Sequence, residues 1–247
     1  MFPAIVQRQL EETMTFAPAA LRFLRGLARN NNKEWFEAHR ADYETQVREP
    51  MRDLIGEMNA RFETFAPEIG GDPKRSMFRI NRDIRFSEDK SPYKTHAACW
   101  FHHKRATSHV GSEADAGSAG FYFHLEPGGR SMVGGGLWMP PRPQLNKLRD
   151  AIAGDPAGFE RVAKGLMKRF GGLDDEAVLK RMPRGFPEEH PAAKWLRYQS
   201  FTSGRVLDDA EVTGPRLATL LAREFQGLLP LVRWLNDALG YPSPSSR

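Results

Sequence analysis

Residues 78–86 read FRINRDIRF, and in them Phe78, Ile80, Ile84 and Phe86 alternate with Arg79, Asn81, Asp83 and Arg85. A two-residue repeat is what a half-buried strand imposes, because successive side chains point to opposite faces of a pleated backbone. The spacing therefore predicts a strand. Arg82 falls on its apolar face, where a charge left unpaired would cost on the order of 3 to 5 kcal/mol. A carboxylate or carbonyl is expected to meet it.

Working outward, 96–104 and 120–126 repeat the alternation, and Pro127-Gly128-Gly129 turns the second of these into a strand over 131–139. This is a meander, with RYQSFTSGRV at 197–206 as one more extended segment. Gly134, Gly135 and Gly136 lack the frame of a phosphate-binding loop and predict a bulge or close backbone contact instead. Residues 106–120, ATSHVGSEADAGSAG, read as an exposed mobile loop.

Helical signals flank this block on both sides. ALRFLRGLARN at 20–30 puts Leu21, Phe23, Leu24 and Leu27 on one face, and Asn31 or Asn32 can cap the next helix from about Lys33. Trp35, Phe36, Tyr43 and Val47 form its apolar stripe, which Pro50 should kink or restart before Met51, Leu54, Ile55, Met58 and Phe62. After the strands, Asp155-Pro156 is a helix start, and 174–181, 191–197 and 214–239 read as further helices. Segregated strands and helices predict an α+β fold: a central, mainly antiparallel sheet of about 4–6 strands flanked by N-terminal and C-terminal helices. The expected organisation is an arm at 1–15, one domain at 16–240 and a flexible tail at 241–247.

Charge is not spread evenly. The chain of 247 residues has a formal net charge of +5. From Lys74 to Arg105 nine Lys or Arg face three acids, a surplus of six, so the remainder sums to minus one. No apolar run is long enough to span a membrane and acids interrupt the first residues, so a soluble cytoplasmic protein without membrane association is expected. The single cysteine, Cys99 in AACWF, excludes an internal disulfide and reads as a small buried hydrophobe.

RINRDIRFSEDKSPY resembles the signature RxxRDxRFxxxKxPY of a bacterial family catalogued as domain of unknown function 2461, with Arg79, Arg82, Asp83, Arg85, Phe86, Lys90, Pro92 and Tyr93 at signature positions. The similarity extends from FLRGLARNNNKEWFEAHRADYE to KRMPRGFPEEHP and the last helices, and so covers most of the chain. It implies no activity, ligand or catalytic residue.

The chemistry of the segment has to be read from its residues. The guanidiniums of Arg79, Arg82 and Arg85 are planar donor forks suited to phosphate or carboxylate, with Lys90 and Lys94 as point charges and Tyr93 as a hydroxyl donor. Asp83 is the candidate proton acceptor. These residues predict a site for a small anion, a phosphate, nucleotide or carboxylate, on an enzyme or a binding protein. Two alternatives stand beside it. In one, the same residues are a salt-bridge lattice inside an interaction domain. In the other, the basic segment and Phe78, Phe86, Tyr93, Trp100 and Phe101 bind nucleic acid. His96, His102, His103, His109 and His124 cluster without any metal-binding spacing, so neither metal nor cofactor is expected. No nucleophile motif is present.

Overall fold

The computed structural model describes residues 15–85, 87–106 and 117–244. The expected arm, except Thr15, lies outside them, as do Phe86, His109, most of the 106–118 loop and the last three residues of the tail.

The architecture is α+β. Helix α1 (Pro18–Arg29) leads through Asn30 to Asn32 into α2 (Lys33–Ala38), α3 (Arg40–Tyr43), a π-helical turn (Glu44–Arg48) and α4 (Glu49–Phe65). Asn32 is the cap of α2, accepting from the Trp35 N–H at 2.9 Å. Pro50 sits in the first turn of α4, directly after the π turn. The wider turn accommodates a residue that has no N–H and whose ring crowds the preceding carbonyl, so the chain continues helical through it.

Strands β1 (Ile69–Gly70), β2 (Ala97–His103), β3 (Gly120–Leu125), β4 (Ser131–Leu137) and β5 (Phe201–Leu207) form one antiparallel sheet in sequence order. The pairs Cys99 with Phe123 and Phe101 with Phe121 point to the helices, whereas Trp100 with Tyr122 and Ala98 with His124 point away. Gly136 has φ +127, and a Cβ there would lie 2.0 Å from the Phe201 carbonyl, so β4 and β5 meet at a position open only to glycine.

The C-terminal half supplies α5 (Arg142–Gly154), α6 (Pro156–Phe170), α7 (Ala193–Leu196), α8 (Asp209–Thr213) and α9 (Leu217–Leu239). Asp155 caps α6 by accepting from the Gly158 N–H at 2.9 Å. Helix α9 lies over the sheet, its Phe225 stacked on Phe121 at 4.6 Å and edge-on to Phe101, with Phe62 of α4 closing the cluster. No helix among the described residues is long and apolar enough to cross a membrane.

Two expected elements differ. Residues 174–181 are not helical; Leu179 and Gln199 donate to Arg197 and Ala177, an extended pairing with 197–199. Eight residues are too few for a helix without strong tertiary support. Residues 78–85 alternate in burial as expected, yet they form no regular strand. Phe78 donates to Ala98 of β2, but Lys94 donates to Ile80 and Arg82 donates to Pro92, so the segment leaves β2 and pairs with its own continuation. Pro92 offers only a carbonyl and so ends the pairing at isolated bridges. Within the tail, Tyr241 and Ser243 donate to Asn236 and Asp237, which ties them to the end of α9.

Candidate functional site

The extended segment and the N-terminal helices enclose a cavity of about 530 Å³. One wall is helical, with Lys33, Phe36, Glu37, Arg40, Tyr43, Glu44, Arg48 and Arg52. The opposite wall is Pro73, Lys74 and residues 77–81, and Pro92 and Tyr93 also line it. Local chemistry fixes each side. Asp72 accepts from the backbone N–H groups of Lys74 and Arg75, a tight Asx turn that presents Lys74. Asn31 accepts from the Tyr93 N–H at 3.0 Å and donates to the Tyr93 carbonyl at 2.9 Å, while Phe36 stacks on the Tyr93 ring at 4.2 Å. The NNN run and the KSPY turn, 62 residues apart, are thereby locked together.

Asn31→Ala removes both anchors of the Tyr93 backbone and is expected to cost about 2 kcal/mol, two ordinary hydrogen bonds with partly buried partners. Urea unfolding checks this; a loss under 0.5 kcal/mol would mean that the aromatic stack alone holds the turn.

Six cations line the cavity against two carboxylates. Both carboxylates are already taken: Glu37 by Arg40 at 2.6 Å and Glu44 by Arg48 at 2.8 Å. Among the described residues Lys33, Arg52, Lys74 and Arg79 make no ion pair. The Tyr43 phenol is pushed up to about 12 by burial, against the opposing pull of Arg48, and remains a neutral donor at the base of this field.

Of the residues read from the sequence as ligand-binding, Arg79 and Tyr93 line the cavity. Arg82, Arg85 and Lys90 do not; they organise the loop beyond it. Arg82 hydrogen bonds to Asp89, to the Ser91 carbonyl at 3.3 Å and to Ser87 at 3.2 Å. Lys90 donates to the Ile84 carbonyl at 3.1 Å. Arg85 grips Asp83 in the fork at 2.7 and 3.0 Å. Hydrogen bonds from the Arg85 side chain and backbone hold the Asp83 carboxyl down at about 2, so this candidate proton acceptor is a carboxylate of very low basicity. Lys94 lies over the Phe78 ring at 5.3 Å and does not itself line the cavity, and burial lowers its pKa.

Sequence reading did not single out Lys33, Arg40, Arg48, Arg52 and Lys74. The available signal was Phe36, Arg40 and Tyr43 at i, i+4 and i+7, one helical face carrying a cation between two aromatics. Reading that face as an apolar stripe hid it.

A second cavity, of about 480 Å³, is lined by Lys168, Arg169, Arg205, Arg223, Glu211 and Glu224. There the three arginines all pair with Glu224 and Arg205 also with Glu211, and four cations against two carboxylates leave a surplus of two, half that of the first cavity. Among the described residues no group of three or more His, Cys, Asp or Glu is placed to hold a metal ion. His124 is occupied by the Tyr122 hydroxyl at 3.1 Å and the Arg130 carbonyl at 2.7 Å. Burial raises the Cys99 thiol pKa.

A family model described as "Conserved hypothetical protein (DUF2461)" matches residues 19–234. No curated protein and no solved structure matches the chain.

Proposed function

We propose, from the premise that the chain belongs to the DUF2461 family, that it binds a small anionic ligand, a phosphate, nucleotide or carboxylate, in the cavity between its N-terminal helices and residues 73–81 with Pro92 and Tyr93. One observation carries this: four lining cations, Lys33, Arg52, Lys74 and Arg79, lack a carboxylate partner while both lining carboxylates are spent on Arg40 and Arg48. Cations crowded around a concave surface repel one another until an anion enters, and the walls lower the local dielectric, which strengthens its capture. Arg79 and Tyr93 of the signature belong to the site, and Arg82, Arg85, Lys90 and Asp83 shape the loop beside it.

Nucleic acid is the weaker alternative. Phe101 is fully buried and Tyr93 only 5% exposed, so neither ring offers a face for base stacking. The lattice reading describes the Arg82–Asp89 and Arg85–Asp83 pairs, yet it leaves the cationic cavity unexplained.

The test is thermal stability against a panel of phosphates, nucleotides, carboxylates and short DNA. A ligand at 100-fold its dissociation constant should stabilise the wild type by about 2.7 kcal/mol. Arg79→Ala and Arg52→Ala remove side chains that hold no ion pair, so both are expected to fold normally and to weaken that ligand at least tenfold. Full binding by both variants would refute the site.

A further inference from the structure

We infer that the ligand carries two or more linked phosphoryl-type groups and is held as the metal-free polyanion; this deepens the anion-site reading and rests on it. Charge and size both point this way. Six lining cations against two carboxylates leave a surplus of four. A single phosphate monoester or orthophosphate brings about −1.5 to −2 at neutral pH, which balances half of that surplus at most. A cavity of about 530 Å³ has the volume of a sphere about 10 Å across. One tetrahedral anion fills a small part of that volume and meets at most half of the surplus charge, whereas a diphosphate or triphosphate brings charge and length for cations on both walls, Lys74 and Arg79 on the extended side and Lys33 and Arg52 on the helical side.

The fate of the carboxylates sets the metal dependence. Enzymes that use a magnesium complex of a polyphosphate bring the metal in on one or two free carboxylates. Here Glu37 takes both the Nε and Nη2 of Arg40, at 2.8 and 2.6 Å, and Glu44 takes Arg48 through both its oxygens, at 2.8 and 3.0 Å. The protein's own cations therefore do the neutralising that magnesium does elsewhere. Magnesium on the ligand would add positive charge to a wall that is already positive and lacks an acid to meet it. It should compete with binding.

Calorimetry on the full chain, freed of divalent metal, tests this with orthophosphate, pyrophosphate, tripolyphosphate, ADP and citrate, the phosphates each repeated in excess magnesium. Pyrophosphate and tripolyphosphate are expected to bind at least tenfold tighter than orthophosphate, and magnesium to weaken both at least threefold. ADP tighter than pyrophosphate assigns the anion to a nucleotide, and ADP no tighter assigns it to polyphosphate itself. In Lys74→Ala/Arg52→Ala, which takes one unpaired cation from each wall, the preference for pyrophosphate should fall below threefold while unliganded stability is not lowered. Orthophosphate within threefold of pyrophosphate, or tighter binding of the magnesium complexes, would overturn the inference and leave the anion site standing. Failure of every anion, orthophosphate and citrate included, would remove the anion site itself.

Discussion

Glu224→Ala is expected to lower folding stability by about 3 kcal/mol, the low end of the range for removing one partner from a buried ion cluster. Glu224 is 1% exposed on α9, and its carboxylate receives Arg169 at 2.7 Å, Arg205 at 3.2 Å and Arg223 at 3.4 Å. Arg205 is the reason for the arrangement. It stands on β5 opposite Val133, where the strand register turns it toward the helices, so a charge on the inward face of the sheet needs a counter-charge from the helix above. Without the carboxylate, Arg205 keeps Glu211 at 2.8 Å, but Arg169 loses its partner. For a chain of this size about 3 kcal/mol corresponds to roughly 6 to 12 °C in Tm. Glu224→Gln keeps the shape and an acceptor and should lose about 1 to 2 kcal/mol. Burial by itself would raise the Glu224 carboxyl, but hydrogen bonds from Arg169 and Arg205 outweigh it, and the folded pKa lies below the ordinary 4.5. The contribution is therefore complete above that value and is lost as pH falls through the depressed folded pKa. Urea midpoints of the three proteins at pH 7 decide the matter, and an alanine variant within 0.5 kcal/mol of wild type would show the cluster to be solvated.

The same physical logic explains what could be read from the sequence. The meander was legible because β3 and the second half of β2 alternate between buried and half-buried residues with a period of two, and Pro127-Gly128-Gly129 marks the turn into β4, whose burial does not alternate. Residues 78–85 obey that period in burial, but a strand also needs one continuous partner, and no periodicity encodes where Phe78 leaves β2. Arg82 was legible in its need for an acceptor; that the acceptors would be Asp89, Ser87 and the Ser91 carbonyl of its own loop was not. The cavity is a tertiary product. Its extended wall carries Arg79 from the basic segment, yet its helical wall comes from residues whose cations lie near acids in sequence, where Lys33, Glu37 and Arg40 look like an ordinary solvated face. Only the fold shows which of those charges are already paired.

His96 is expected to make the protein acid-sensitive in a window no carboxylate explains. Burial, reinforced by the nearby His124 and Lys94 and opposed by Glu126, lowers its pKa from 6.5 to about 4. Its ring packs 5.2 Å from that of His124. The sign follows from proton binding. Between those two values the unfolded chain takes a proton that the folded protein refuses, so stability is full above about 6.5 and declines as pH falls toward the folded pKa. At about 1.4 kcal/mol per pKa unit, the loss assignable to this one residue by pH 4.5 is about 2.5 kcal/mol. His102, His103 and His124 are also lowered, by burial first, and deepen the same decline. The measurement is therefore a difference: urea midpoints at pH 7.5 and 4.5 for the wild type and for His96→Gln, which carries no charge at either pH. The variant should lose about 2 kcal/mol less than the wild type on acidification. Equal losses would mean that the protein accommodates a charged His96 against His124 and Lys94, and that the outer face of the sheet admits water more freely than its packing implies.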